Sequence, residues 1–410
     1  MAKPVPIHLA LLDQTIAMLA RMGLENISLR TIAARADCTT AVIFQQYQGK
    51  AGLLSAAIDR ALDIDSEAHA ALLTQVSGLI GSREAVADFI GSYVTVRASQ
   101  DVPRFWSEIL FKSQQLPEAR GQLQRWFAMR SRFWQDVLAT AAVDAALADT
   151  IAAYSIMEEV YAYPLLGDAQ YRLLLHETAR ALIETAFDPA HAHHRSPGIS
   201  AILGKVPWPA NPETAESTDM REQLLTHAIH AIVENGIGTI NQRSLSQKAG
   251  VSSSMIAYHF KDMKSFVNEA IWRALVQGIP PVLDPGRSAM PTTMQQWFEA
   301  LETYVRPRIG DTPAGFYTVF ARITGQACLL ADSRPSLMPL VHHLRALEGW
   351  GTYRVALSIQ PQHAVVARDH AAAFGMWIKA EAVLREAGLR PPIASGSVIG
   401  NVAQRIFPLR

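Results

Sequence analysis

Hydrophobic and polar residues follow one pattern twice along the chain, at positions 213 residues apart (Leu11 to Leu224). The match needs no gap from residue 11 to residue 54 and falls mostly on apolar positions. The aligned pairs include Leu11 with Leu224, Leu12 with Leu225, Ile16 with Ile229, Gly23 with Gly236, Ile27 with Ile240, Arg30 with Arg243, Ile43 with Ile256 and Tyr47 with Phe260. Two copies of one fold with diverged surfaces keep such positions, so the pattern predicts an internal repeat.

Each copy predicts three helices. In LLDQTIAMLARMG the apolar residues recur at helical spacing, and Gly23 suits the left-handed end of a helix. Ser28 precedes a second helix and Thr39 precedes a third, TAVIFQQY, because hydroxyl side chains cap exposed amides. The corresponding residues of the second copy are Gly236, Asn241 and Ser252, and its third helix is SSMIAYHF.

This arrangement of helices is typical of a helix-turn-helix DNA module, whose last helix enters the major groove. The inner side of that helix requires apolar residues such as Ile43 and Ile256. Its outer side carries hydrogen-bonding residues, and glutamine suits bidentate contact with adenine. These outer residues are Thr40, Gln45 and Gln46 in the first copy and Ser253, Tyr258 and His259 in the second. Flanking arginines and lysines would neutralise phosphates without reading sequence.

Both copies resemble the N-terminal DNA-binding domain of the TetR family of transcriptional regulators, over residues 11–54 and 224–267. Members of that family are usually about half the length of this chain and join such a head to a helical ligand-binding and dimerisation domain. The prolines between residues 188 and 218 disfavour one regular helix there. The resemblance therefore implies an all-α chain of two tandem TetR-like units. The predicted domains are 1–60 (first helix-turn-helix head), 61–188 (first ligand-binding and dimerisation domain), 189–218 (proline-rich linker), 219–274 (second head) and 275–410 (second ligand-binding and dimerisation domain).

The resemblance also implies a set of DNA contacts. Lys50 takes the place of a family lysine that meets phosphate, whereas Met263 stands there in the second copy, beside Lys264. Phe44 and Ala257 stand where the family usually has a tyrosine of the recognition helix. The candidate DNA-binding residues are Arg30, Thr39, Thr40, Ala41, Phe44, Gln45, Gln46, Tyr47, Lys50, Arg243, Ser252, Ser253, Ser254, Ala257, Tyr258, His259, Lys261 and Lys264.

In family dimers the last two long helices of each subunit pair as a four-helix bundle. By resemblance, residues 143–165 with 169–187 would pack against 363–387 with 393–407, so that one polypeptide forms an intramolecular pseudo-dimer. Whether two chains associate further stays open. Faint echoes relate the bodies of the two units, for example RFWSEILF at 104–111 with GFYTVFAR at 315–322.

Aromatic residues are dense in both bodies, and most of them are expected to be core. Some are candidates for an effector pocket, because ligand sites are mostly apolar with few polar groups. These candidates are Phe105, Trp106, Trp134, Tyr154, Phe316, Tyr317, Tyr353, Phe374 and Trp377. Candidate polar anchors are Arg104, Glu108, Glu158, Arg322 and Lys379, each of which is more typical of a surface or interhelical charge.

Composition limits the kinds of binding site and the cellular compartments that the chain can have. The formal net charge is zero, so DNA binding must rest on local clusters rather than on a whole-molecule field. Two cysteines build neither a disulfide framework nor a cysteine-rich zinc site, and no signal peptide or apolar run of membrane-spanning length occurs. We therefore expect a cytoplasmic protein without cofactor or membrane contact. The histidines of HAHH (191–194) are more typical of a solvated linker than of a metal site.

The sequence thus predicts a TetR-type regulator, a repressor released from an asymmetric DNA operator by a small apolar or aromatic effector. An alternative is an all-helical small-molecule-binding or scaffold protein in which one or both heads have lost DNA affinity. An enzyme is the third class, but the sequence contains no glycine-rich phosphate loop, nucleophile elbow or HExxH pair.

Overall fold

The structure, a computed structural model, describes residues 7–141, 143–187, 219–240, 253–277, 291–359, 367–390 and 399–402 and the single positions 202, 247 and 250. These residues form α-helices and short 3-10 helices joined by turns, and they contain no strand. The predicted all-α fold is confirmed. No helix in these ranges combines the length and the apolar character needed to cross a bilayer.

Several predictions fall on other parts of the chain. Except for Ile202, the linker 189–218 lies outside the described residues, together with its histidines His191, His193 and His194. The same holds for Arg243 and Ser252 of the second head.

The first head begins the chain. Its helices are α1 (Ile7–Met22), α2 (Leu29–Arg35), α3 (Thr40–Tyr47) and α4 (Lys50–Val76). Gly23, with φ of 77°, follows α1 and leads into the 3-10 helix Leu24–Asn26. Ser28 caps α2 by accepting a hydrogen bond from the amide of Thr31 at 3.1 Å. Thr39 occupies the N-cap position of α3, but its side chain makes no capping bond, so the expected capping contact is absent.

The second head has the same order of elements where the structure describes it. Its helices are α10 (Asp219–Asn235), α11 (Ser253–His259) and α12 (Met263–Gln277). Gly236, with φ of 88°, again leads from the first helix into a 3-10 helix, Ile237–Thr239. Both glycines occupy the left-handed region that other residues rarely adopt, so each head makes the same sharp exit from its first helix.

Each head continues into a helical body. The first body contains α5 (Arg83–Ala98), α6 (Asp101–Phe111), α7 (Arg120–Thr140), α8 (Ala148–Leu165) and α9 (Ala169–Phe187). The second contains α13 (Met294–Tyr304), α14 (Phe316–Ala331), α15 (Met338–Ala346), α16 (Trp350–Ile359) and α17 (Arg368–Glu386). The domain boundaries expected after residues 60 and 274 lie inside α4 and α12. Helix α4 therefore runs without a break from the first head into the first body.

A shift of 218 residues relates parts of the two bodies. The 3-10 helix Pro117–Ala119 precedes α7, and the 3-10 helix Pro335–Leu337 precedes α15. Under the same shift Leu123 corresponds to Val341, and both are fully buried. The start of α7 therefore corresponds to α15, while α16 continues the path after a break at Gly349, whose φ is 71°.

This shift corrects the sequence echo between the bodies. Residues 104–111 correspond to 322–329 and not to 315–322, so the predicted alignment was wrong by seven residues. Seven residues make about two turns of an α-helix, and a misaligned segment therefore shows a similar apolar face.

The two units are in direct contact. Helix α17 packs against α8 and α9, and α14 packs against α6 and α8. Arg345 of the second unit donates a 2.7 Å hydrogen bond to the Glu158 carboxylate of the first, and both side chains are buried. Further ion pairs between the units join Arg104 to Asp332 and Arg390 to Asp149. The apolar core is continuous across this contact.

Candidate nucleic-acid interface and effector cavity

Helix α3 has one buried side and one exposed side. Ile43 is fully buried and fixes α3 on the head. Thr39, Ala41, Gln45 and Gln46 are exposed, and Thr40 is half-buried. Amide and hydroxyl groups of this kind can hydrogen-bond base edges in a major groove.

Two aromatic residues of α3 differ in their surroundings. Phe44 is 57% exposed, although its side chain is apolar. Tyr47 is partly buried, and its hydroxyl donates to the carbonyl of His8 at 3.4 Å. An exposed phenyl ring on such a helix can make apolar contact with a thymine methyl group, whereas Tyr47 holds α3 against α1.

The lysine expected to meet phosphate has partners inside the head. The Lys50 ammonium donates to the carbonyls of Ile27 at 3.1 Å and Leu24 at 3.4 Å. It thereby ties the start of α4 to the segment between α1 and α2. Arg30 is exposed at the start of α2.

Helix α11 of the second head repeats this arrangement with other side chains. Ile256 and Phe260 are buried, and the Arg221 guanidinium lies over the Phe260 ring at 4.8 Å. Tyr258, which aligns with Gln45, is 82% exposed, so its phenol points outward. Ala257, Lys261 and Lys264 are also exposed, and His259 is half-buried. Ser253 and Ser254 belong to α11, but their side chains lie outside the described part of the chain.

A polar joint connects each head to its own body. In the first unit the amide of Leu24, just after Gly23, donates to Glu108 Oε1 of α6 at 2.6 Å. In the second unit the amide of Ile237 donates to Gln326 Oε1 of α14 at 2.8 Å. Glu108 and Gln326 correspond under the 218-residue shift, so the same bond recurs with a charged and a neutral acceptor.

Sequence reasoning missed this joint. It considered Glu108 only as a ligand anchor and did not consider Gln326 or Lys112, whose ammonium lies 2.7 Å from Glu108. The correct register between the bodies would have placed Glu108 and Gln326 at equivalent positions.

The two heads also meet each other at their 3-10 helices. The Glu25 carboxylate lies against Gly238: a Cβ atom added to Gly238 would lie 1.4 Å from Glu25 Oε2. The Lys112 ammonium lies 3.4 Å from Glu25. The two joints are therefore neighbours, and their residues line one small pocket.

Comparison with known families bears on the first head. Residues 11–57, from α1 into α4, match the family described as "Bacterial regulatory proteins, tetR family". The N-terminal head is a TetR-family domain. A TetR-type head implies DNA binding and dimerisation. A comparison with curated proteins gave no match. The second head lies outside the matched residues.

The second body contains a cavity of about 90 Å³ that is partly open to the surface. It is lined mainly by aromatic and aliphatic side chains from α12, α14, α15, α16 and α17. The lining includes Trp272, Phe316, Tyr317, Phe320, Leu344 and Trp350. A pocket with this lining favours a small apolar or aromatic molecule.

One ion pair forms the polar side of the cavity. Lys379 Nζ lies 2.5 Å from Glu348 Oε2, and the Tyr161 hydroxyl of the first unit donates to the same oxygen at 3.4 Å. The ammonium also lies 4.7 Å from the centre of the Phe320 ring. A Cβ on Gly375 would lie 2.6 Å from Glu348 Oε1, so glycine leaves the space that this carboxylate occupies.

The equivalent interior of the first unit is filled. The Arg97 guanidinium donates to Asp65 at 2.7 Å, and Arg130 donates to Glu159 at 2.7 Å. The indole of Trp126 donates to Asp65 at 2.9 Å. Burial acts to raise the pKa of Asp65, but the charges and hydrogen bonds of Arg97 and His69 together outweigh burial and hold that pKa well below its ordinary value. Four charges and the aromatic rings around them occupy this interior.

The predicted effector-binding residues divide between the cavity and the core. Phe316 and Tyr317 line the cavity. Tyr353 lies near Arg368 outside the lining residues. The remaining candidates are buried in the core and do not line this cavity: Phe105, Trp106, Trp134, Tyr154, Phe374 and Trp377.

The predicted polar anchors divide in the same way. Lys379 is the one that lines the cavity. The other four bond within the protein: Glu108 to the Leu24 amide, Glu158 to Arg345, Arg104 to the Leu329 carbonyl and Arg322 to Glu386.

Proposed function

We propose that the chain is a repressor in which two unlike heads of one polypeptide read the two halves of an asymmetric operator. A small molecule in the cavity of the second unit releases it from DNA. The observation that carries this proposal is the repeated joint, in which Glu108 and Gln326 hold equivalent backbone amides of the two heads. A fold that keeps the same connection twice supports two working heads.

The difference between the heads supports an asymmetric site. Gln45 and Tyr258 occupy aligned positions on the exposed sides of α3 and α11. Glutamine pairs with adenine through two hydrogen bonds, whereas a phenol offers one hydroxyl and an apolar ring. Two such helices prefer different half-sites, centred about one helical turn or somewhat more apart.

Helix α14 provides the route from effector to DNA. Phe316, Tyr317 and Phe320 near its start line the cavity, while Gln326 two turns later holds the second head. An effector that favours one position of α14 shifts the population of head arrangements. Operator DNA must then weaken effector binding by the same factor.

A mobility-shift assay tests the proposal, using the full chain on the DNA upstream of its own gene and on unrelated DNA at stated salt concentrations. We expect a specific complex containing one chain per duplex. Gln45→Ala should change base preference in one half-site only, and Tyr258→Ala in the other. Equal affinity for both DNAs would favour the alternative of a helical binding protein with heads that no longer read DNA.

A further inference from the structure

A buried arginine that has no hydrogen-bond partner among the described residues lies next to the cavity. Arg368, the first residue of α17, is 7% exposed. In the part of the chain that the structure describes, none of its three guanidinium nitrogens has a hydrogen-bond partner. Its guanidinium lies 4.9 Å from the ring centre of Trp350, which lines the cavity, and 5.6 Å from that of Tyr353. An uncompensated buried charge costs several kcal/mol, so a partner is expected.

The position of Arg368 on α17 points it toward the same space. Gly375 and Lys379, which line the cavity, follow it by seven and eleven residues. Residues at these intervals lie on one side of an α-helix. Arg368 therefore extends the cavity-facing side of α17 beyond the residues that line the cavity.

Two of the buried cations near the cavity are paired with carboxylates, whereas Arg368 has no carboxylate bonded to it among the described residues. Lys379 pairs with Glu348, and Arg345 pairs with Glu158. The nearest carboxylate to Arg368 in sequence is Asp369, but Asp369 Oδ1 accepts the amide of His370. The N-terminus of α17 adds partial positive charge at the same place. Burial lowers the pKa of Arg368 to about 10, so the guanidinium remains charged at neutral pH.

We propose that the effector is an anion with a flat apolar body, such as an aromatic carboxylate, and that Arg368 binds its charged end. Its body would lie against Phe316, Phe320 and Trp350, and its carboxylate would accept two parallel hydrogen bonds from the guanidinium. A cation is disfavoured because Glu348 already pairs with Lys379. This inference rests on the proposed function, since it names the chemistry of the same cavity.

The test compares three probes that share one ring system: 2-naphthoate, methyl 2-naphthoate and 2-naphthylmethylammonium. Calorimetry with the unmodified full chain should give an affinity for the acid at least roughly tenfold above that for the ester, as expected for a charged hydrogen bond. The ammonium probe should bind more weakly than the ester. An ester or ammonium affinity equal to that of the acid, or no binding of any probe, overturns the proposal.

Substitutions test whether Arg368 is the residue that causes the preference for the acid over the ester. Arg368→Met should bind acid and ester equally, Arg368→Lys should keep part of the preference, and Arg354→Met on α16 is the matched control that should keep all of it. Without ligand, Arg368→Met should melt at a higher temperature than the unmodified chain, because it removes an unpaired buried charge. An unchanged acid preference in Arg368→Met overturns the assignment.

The mobility-shift assay separates this inference from the proposed function. Acid-selective binding by a chain that does not recognise DNA would sustain the ligand class and reject the repressor. Specific DNA binding by a chain that does not prefer the acid would sustain the repressor and reject the ligand class.

Discussion

Equivalent positions in the interiors of the two bodies carry side chains of opposite charge and different size. Arg130 of the first unit corresponds to Glu348 of the second under the 218-residue shift. Arg130 forms an ion pair with Glu159 of α8, and Glu348 forms one with Lys379 of α17. The charges are exchanged, because the earlier residue of the pair is positive in the first unit and negative in the second. Around it, Trp126 in the first unit corresponds to Leu344 in the second, which lines the cavity.

We therefore expect the interior of the first unit to connect its helices and that of the second to bind the effector. In the first, four charges and the aromatic rings around them connect α4, α5, α7 and α8. In the second, Leu344 stands in place of a tryptophan, and the cavity lies beside the break at Gly349 and the ion pair of Lys379 with Glu348. One chain is therefore expected to bind one effector molecule.

The largest effect should follow from breaking the filled interior. Arg130→Met leaves Glu159 and Asp65 to share Arg97, and removal of one member of a buried ion network costs roughly 3–5 kcal/mol. Lys379→Met in the second unit should cost less, because water in the adjacent cavity can solvate Glu348. Denaturant unfolding of both variants measures the difference. Equal losses would mean that the two interiors do not differ in this respect.

The next effect concerns pH at the contact between the units. His370 of α17 is buried, and burial lowers its pKa from 6.5 to about 4, against the weaker opposing influence of Glu184. The folded chain therefore keeps the ring neutral. This contribution to stability is complete above pH 6.5 and is lost as pH falls toward 4, by up to roughly 3 kcal/mol.

His370→Leu should remove that part of the pH dependence. Unfolding free energies of both proteins between pH 7 and pH 4.5 provide the measurement. A variant that loses stability with acid as steeply as the unmodified chain would show that other groups are responsible.

A smaller effect is expected at the joints between heads and bodies. Glu108→Ala leaves the Leu24 amide without its acceptor and Lys112 with Glu25 alone, at a cost of about 1–3 kcal/mol. Glu108→Gln copies the second unit and should retain the bond to the amide. Thermal unfolding and operator affinity check both variants, and equal behaviour of alanine and glutamine would contradict the role of the joint.

The smallest change in stability should come from filling the cavity. Leu344→Trp copies Trp126 and should alter the free energy of unfolding by about 1 kcal/mol, because the ring enters existing space. It should also abolish binding of the naphthyl probes. Calorimetry tests the loss, and full binding by this variant would place the effector elsewhere.

Much of the heads was predictable from sequence, whereas the effector site was not. Apolar spacing and the glycines at 23 and 236 predict the helices because they reflect local geometry. Phe316 and Phe105 are chemically alike, yet the first lines a cavity and the second is core, since that outcome depends on which neighbours fill the remaining volume. The pairing of Lys50 with carbonyls of its own head also depends on tertiary contacts that local patterns do not contain.

Selection of preferred DNA from a random pool by the full chain shows whether the two heads read different half-sites. We expect one consensus with two unequal half-sites, in which Gln45→Ala relaxes one half and Tyr258→Ala the other. A strict palindrome whose two arms tolerate the same base changes, or no enrichment at all, would contradict it.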